Sequence, residues 1–171
     1  MEFFEYIIKR KKGPKEILIS ILIYLIAAVL SVIPLILLLP MGLSSIAVLL
    51  SFGCFYFAYK ISTGMNKEFE YIFTQDNICI DVIMNKARRK RLISFSIPET
   101  DIIASVDDDN HKAELNIKYD KVIDATSRSN HASVYFAVVS AEKRTLVKFE
   151  PPYSALKELF KYAPSKIKIK D

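Results

Sequence analysis

The chain has 171 residues, a hydrophobic fraction of 51% and a formal net charge of +5 at pH 7. The chain has only two cysteines, and this low number argues against a disulfide framework and favours a reducing compartment. It has only four glycines, which argues against a glycine-rich loop that would bind a phosphate.

Two apolar stretches separated by a short turn dominate the first sixty residues. Residues 17–39 contain no charged side chain, and residues 43–59 form a second apolar run. A helix needs about 20 residues to cross the hydrocarbon core, and lipid offers the backbone no hydrogen-bond partners. Both stretches are therefore predicted to be transmembrane helices, and residues 40–42, Pro-Met-Gly, are predicted to be the turn between them.

Basic residues flank this hairpin, whereas its turn has none. They are Lys9, Arg10, Lys11, Lys12 and Lys15 before the first helix and Lys60 and Lys67 at the end of the second. Positive charge marks the cytoplasmic side, so the sequence predicts a multi-pass plasma-membrane protein with both termini in the cytoplasm. The first apolar run is longer than that of a signal peptide, and a second run follows, so the segment is predicted to remain as an anchor.

These features divide the chain into five predicted segments. Residues 1–15 are a basic cytoplasmic or interfacial segment, and residues 16–61 are the two-helix transmembrane hairpin. Residues 62–67 are a linker, and residues 68–164 are a cytoplasmic β-domain with a closing helix. Residues 165–171 are a basic tail that is predicted to be frayed.

Alternation of apolar and polar side chains predicts about seven short strands after the hairpin. The segments are 68–74, 78–84, 93–97, 102–106, 133–139 and 145–149, with further extended patterns at 115–119 and 122–125. Leu156, Leu159, Phe160 and Ala163 then recur at helical spacing. Strands without intervening helices predict an α+β membrane protein, in which one C-terminal helix closes an antiparallel β-sandwich or partly open barrel.

This order of elements resembles bacterial pleckstrin-homology-like (PH-like) domains. The resemblance rests on the short strands, on the phrase Ile-Pro-Glu-Thr-Asp-Ile at 97–102 and on the closing helix after a strong β-hairpin. With the apolar hairpin and the Lys-Ala-Arg-Arg-Lys-Arg run at 86–91, the chain is similar to small uncharacterised membrane proteins of Gram-positive bacteria. The resemblance implies a PH-like fold beside the membrane and transfers no activity.

The run at 86–91 places five cations in six positions and is predicted to be a loop. Contact with the anionic inner leaflet and a solvated loop are both open, since a cation near such a surface contributes about 1 kcal/mol. Tethering to the bilayer argues against nucleic acid. The predicted lipid-contact residues are Lys86, Arg88, Arg89, Lys90 and Arg91 from this run and Lys9, Arg10, Lys11 and Lys12 from the N-terminal flank.

No pattern in the chain points to a metal site or to catalysis. The acidic residues 107–110 start a stretch with Lys112 and Lys118 where a calcium loop needs Gly and Glu. His111 and His131 lack the spacing of zinc ligands, and the common catalytic motifs are missing. Dispersed carboxylates such as Glu70 and Asp81 are interpreted as the solvent face of a half-buried sheet. We therefore predict no enzyme, no metal and no cofactor.

The leading hypothesis is a membrane-anchored interaction or scaffold module that holds a PH-like domain at the inner leaflet. Its predicted partners are the anionic bilayer and a protein that the sequence does not identify. The alternative is an accessory subunit of a transporter or membrane enzyme complex, with the hairpin packed against larger helices. Small residues such as Gly42, Ser44, Ser45 and Gly53 offer contact points for that packing.

Overall fold

The structure, a computed structural model, describes residues 4–74, 76–130, 133–141 and 143–169. His131 lies outside these ranges. The chain forms two compact units, which are described separately below. The hairpin unit comprises residues 12–66, and the β unit comprises residues 1–11 together with 67–171.

The hairpin unit consists of helices α1, Pro14–Leu38, and α2, Ser44–Gly64. Pro14 occupies the first turn of α1, where a missing N–H is tolerated. Gly42 adopts a φ of 77° in the connection, a conformation that glycine reaches without a steric penalty. Both helices are long and apolar enough to cross a membrane by length and composition. Compared with the predicted bounds of 16–61, α1 begins two residues earlier and α2 ends three residues later, so α2 includes residues 62–64 of the expected linker.

Small side chains hold the two helices together. Ala27, Ala47 and Ala58 are buried between them, which lets the backbones approach closely. The Ser51 hydroxyl donates to the Ser31 carbonyl oxygen at 2.7 Å, so a polar group also links the two helices.

The described residues of the β unit form two sheets, a four-stranded sheet of order β1-β2-β3-β4 and a five-stranded sheet of order β6-β8-β7-β5-β9. The strands are β1 Phe4–Lys9, β2 Lys67–Thr74, β3 Asn77–Met84, β4 Arg88–Ser96, β5 Thr100–Ser105, β6 Lys121–Asp124, β7 Tyr135–Ser140, β8 Arg144–Phe149 and β9 Ile167–Lys168. Helix α4, Tyr153–Tyr162, follows β8. The two-sheet fold with a C-terminal helix is confirmed.

The N-terminal segment is part of the β unit. Residues 4–9 form strand β1 of the first sheet, where a separate interfacial segment was expected. Strand β1 pairs antiparallel with β2, with Lys9 opposite Glu68. The whole helical hairpin is therefore inserted into the connection between two paired strands. Ile8 packs in the core, which is the physical reason that this segment belongs to the β unit.

The second sheet is mixed, whereas antiparallel pairing alone was expected. Strand β6 pairs parallel with β8, and β9 pairs parallel with β5. The tail expected to be frayed contains β9, because Ile167 is fully buried in the core. The extended pattern at 115–119 was also wrong: helix α3, Lys112–Leu115, ends at the first of these residues, and residues 116–119 are irregular. Leu115 and Tyr119 pack on a small cluster around Phe136.

The main core lies between the sheets, and α4 contributes Leu156 and Leu159 to it. Tyr71 at its centre links the first sheet to two later segments. Its hydroxyl donates to the Ala125 carbonyl oxygen at 2.6 Å and accepts from the Glu150 backbone N–H at 3.3 Å. Burial strongly raises the pKa of Tyr71, so its hydroxyl remains a hydrogen-bond donor.

Candidate functional site

The candidate site is the end of the first sheet where the chain leaves for the hairpin and returns from it, which we call the junction end. Lys9 ends β1 there, and Lys67 begins β2. The register places Lys67 beside Met84 and Met84 beside Arg88. The basic run therefore begins at the junction end, although residues 13–85, which include the hairpin and strands β2 and β3, separate it from the N-terminal cations.

The run at 86–91 is mostly strand, in place of the loop that was expected. A short turn at 85–87 connects β3 to β4, and β4 begins at Arg88. Asn85 and Lys86 have φ values of 52° and 56°, and the Ala87 N–H donates to the Met84 carbonyl oxygen at 3.1 Å. Asn tolerates this left-handed conformation, but for a residue such as Lys86 it costs about 1–2 kcal/mol. The tip of the turn thus presents an exposed cation at a position that glycine would fill more favourably.

Alternation along β4 directs Arg89 and Arg91 to the outer face of the sheet. Arg89 Nη2 lies 2.7 Å from Glu70 Oε1, and Arg91 Nε lies 3.1 Å from Asp81 Oδ1. Glu70 is fully buried and Asp81 is 4% exposed, so these arginines cover carboxylates that water does not reach. Glu70 and Asp81 do lie on the face opposite the core, as expected, but the arginines cover them, so both carboxylates are buried rather than solvated. We call Arg89 and Arg91 the paired cations.

Arg88 and Lys90 alternate with them and point to the opposite side of the strand. Both are exposed, as is Lys86, and none of the three makes an ion pair with a described residue. We call Lys86, Arg88 and Lys90 the free cations. The six-residue run thus separates into two sets with different physical roles.

A family model described as "Bacterial PH-like domain (DUF6106)" matches residues 2–169. The chain belongs to this family. The match runs through α1 and α2 without interruption, so the hairpin inserted between β1 and β2 falls within the family's own domain. No curated protein and no solved structure matches the chain.

The N-terminal cations of this PH-like protein do not form one surface. Arg10 is 13% exposed and binds Asp124 through Nη2 at 2.7 Å, with its guanidinium 5.5 Å from the Phe69 ring centre. Burial opposes ionisation of Asp124, but hydrogen bonds from Thr126 and the charge of Arg10 lower its pKa overall. Arg10 therefore fastens the end of β1 to the strand β6 region, and it is not available to a lipid headgroup.

The remaining flanking cations differ from one another. In the hairpin unit, Lys12 Nζ donates to the Ser62 carbonyl oxygen at 3.3 Å. Lys9 and Lys11 are exposed, and their ammonium groups bind no described carboxylate. Of the nine predicted contact residues, five are exposed and form no ion pair with a described residue, namely the free cations, Lys9 and Lys11. The other four, Arg10, Lys12 and the paired cations, bind other groups of the chain.

Glu70 is the residue of this site that sequence reasoning missed. Burial raises its pKa, and the neighbouring Glu5 carboxyl raises it further, whereas the charge of Arg89 lowers it without cancelling the rise. Its second carboxylate oxygen has no hydrogen-bond partner among the described residues. A signal was present in the sequence, because Glu70 and Asp81 occupy matching positions in neighbouring strands and cations follow in the next.

The acidic residues 107–110 form a polar turn rather than a ligand cluster. Asp108 accepts a hydrogen bond from the Asn110 N–H at 3.1 Å, and His111 lies 3.9 Å from Asp108. Within the described ranges, no group of three His, Cys, Asp or Glu side chains is arranged to hold a metal ion.

Proposed function

We propose that this PH-like protein is a membrane-anchored interaction module without catalytic activity. The observation that carries the proposal is the insertion of an apolar hairpin between paired strands β1 and β2. The two segments that join the hairpin to the strands are short: residues 10–13 connect β1 to α1, and residues 65–66 connect α2 to β2. A residue spans at most about 3.6 Å, so a hairpin that crosses the bilayer keeps the junction end close to its surface.

The distribution of charge supports a cytoplasmic position for the β unit. The turn at 39–43 carries no charged side chain, whereas Arg10, Lys11 and Lys12 precede α1, and Lys60 and Lys67 flank the return to the sheet. The free cations then face an anionic leaflet, where each contributes about 1 kcal/mol. The proposed partners are this leaflet and a protein recruited to the domain.

The orientation is tested by labelling single cysteines in intact cells, in a chain that carries Cys54→Ala and Cys79→Ser. Ser44 lies beside the hairpin turn and Ser165 follows α4. We expect an impermeant thiol reagent to label Ser44→Cys and to leave Ser165→Cys unlabelled until the cells are lysed. Labelling of Ser165→Cys before lysis would reverse the orientation.

Contact between the free cations and the leaflet is tested in nanodiscs with the full chain. A polarity-sensitive dye on Ala87→Cys, in the same cysteine-free background, reports proximity to spin-labelled headgroups by quenching. We expect strong quenching with phosphatidylglycerol at low salt and weak quenching with phosphatidylcholine alone. Salt should reduce the difference, because it shortens the screening length.

Two charge variants make this test specific. Replacing Lys86, Arg88 and Lys90 with Gln removes about 3 kcal/mol of attraction and should reduce quenching to the neutral-lipid level. Replacing Lys118, Lys143 and Lys157, exposed cations on other elements, removes the same net charge and should leave quenching unchanged. Equal quenching in the two variants would show that the free cations are solvated side chains without contact to the leaflet.

A second candidate function is that of an accessory subunit in a membrane complex. It is favoured by a groove of about 300 Å³ within the hairpin unit, which is lined by apolar residues. Some of these, such as Ala27 and Ala58, have small side chains that allow a further helix to approach. Purification in mild detergent separates the two proposals. A larger membrane protein recovered in fixed stoichiometry supports the subunit, and its loss in a Phe57→Ala variant, which changes an exposed lining residue of the groove, would assign the contact to this groove.

A further inference from the structure

Strand β1 is an edge strand, and its pairing with β2 shows which of its backbone groups are free. The Arg10 N–H donates to the Lys67 carbonyl oxygen at 3.0 Å, so the even-numbered residues of β1 form the hydrogen-bonded pairs with β2. The N–H and C=O groups of Glu5, Ile7 and Lys9 consequently point away from the sheet. Lys11 has the same parity, and its N–H reaches outward to the Ser127 carbonyl oxygen at 2.9 Å.

The space beside this edge is open. Residues 6–9 face Ser127, Ser129 and Glu150 across a cleft of about 480 Å³. Tyr6 is 44% exposed and Ile7 is 48% exposed. The edge has neither a proline nor a bulge, which are common protections against pairing with another strand.

The residues along this edge are complementary to themselves when read in the opposite direction. Antiparallel to a second β1 and centred on Ile7, Glu5 lies opposite Lys9 of the second copy and Ile7 lies opposite its counterpart. Opposite charges and apolar pairs directly across an antiparallel ladder are stabilising. The other edge of the sheet, β4, carries Arg88 to Arg91 and repels its own copy.

The surroundings of Glu5 add an independent argument. Its carboxyl group neighbours that of the buried Glu70 and raises the pKa of Glu70, and the register places both residues on the outer face of the sheet. Arg89 forms an ion pair with Glu70, but no described cation is paired with Glu5. An ammonium group arriving across the edge would relieve this excess of negative charge.

We propose that two copies of this chain associate through β1, antiparallel about a twofold axis at Ile7, so that their four-stranded sheets join into one. About six backbone hydrogen bonds form, two at each of the three outward-pointing positions. Glu5 and Lys9 of each copy then pair with Lys9 and Glu5 of the other.

Cysteine cross-linking of the full chain in detergent tests this register, in the Cys54→Ala/Cys79→Ser background. Residues in a hydrogen-bonded antiparallel pair have Cα atoms about 5.5 Å apart, within the range that a disulfide spans. We expect Ile7→Cys to form a disulfide dimer under mild oxidation. The control is Val122→Cys, which is 58% exposed on another edge strand, and it should stay monomeric.

Charge reversal supplies the second arm. Glu5→Lys and Lys9→Glu should each reduce cross-linking by about tenfold, whereas the double variant should restore it because each contact again joins opposite charges. Light scattering on the chain without introduced cysteines should give twice the chain mass, and Glu5→Lys should lower it. A monomeric chain, Ile7→Cys cross-linking no better than Val122→Cys, a double variant no better than the singles, or a product with a different protein would overturn the proposal.

Discussion

A chain in which residues 11–66 are replaced by Asn-Gly is expected to be soluble and folded, whereas a chain that begins at Asn66 is expected to lose much of its stability. Arg10 and Lys67 are a hydrogen-bonded pair, and two-residue Asn-Gly turns connect such pairs in antiparallel hairpins. The shortened chain therefore retains both sheets and omits the apolar helices.

The chain that begins at Asn66 lacks β1 and two of its anchors. Ile8 is part of the core, and burying one such side chain contributes about 1.5–3 kcal/mol. The ion pair of Arg10 with Asp124 is lost as well. We expect a loss of about 3–5 kcal/mol in the free energy of unfolding, measured by urea denaturation with near-ultraviolet circular dichroism. Equal unfolding midpoints for the two chains would show that β1 is dispensable.

Replacing Arg89 and Arg91 with Gln is expected to destabilise the β unit, while replacing Arg88 and Lys90 is expected to leave its stability within about 0.5 kcal/mol. The two variants remove the same net charge from the same strand. Only the first leaves buried carboxylates without their cations, and for Glu70 this loss costs about 1–3 kcal/mol. Urea unfolding of the chain shortened by Asn-Gly provides the comparison.

Glu70 is expected to lower the stability of the β unit as pH rises. The folded-state pKa of Glu70 is raised above its ordinary value near 4.5, so its contribution to stability is fully present below that value and is lost as pH rises through the folded-state pKa. Glu70→Gln should flatten this dependence, and adding it to Arg89→Gln should recover part of the lost stability at pH 7. If Arg89→Gln and Arg88→Gln unfold at the same urea concentration at pH 7, the pairing with Glu70 contributes nothing measurable.

Local patterns were sufficient for the elements whose signals lie within a few consecutive residues. The helical hairpin follows from hydropathy over residues 17–59, and α4 follows from apolar spacing at 156–163. Strand β1 could not be recognised in this way, because its sequence Phe-Glu-Tyr-Ile-Ile-Lys runs into a basic flank and its partner lies beyond the whole hairpin. The strand β9 was missed for the same reason, since Ile167 becomes a core residue only when β5 is beside it.

Neighbouring residues are enough to predict two apolar helices, a PH-like β-rich domain and a dense basic run, because hydropathy, alternation and charge density are local properties of the chain. The position of the hairpin within a β1–β2 pair, and the division of the basic run into free and paired cations, follow only from the packed fold. Strand register sets which side chains face each other, and register depends on contacts between residues far apart in the chain. A cation's role follows from what lies opposite it, and for Arg89 that is the buried carboxylate of Glu70.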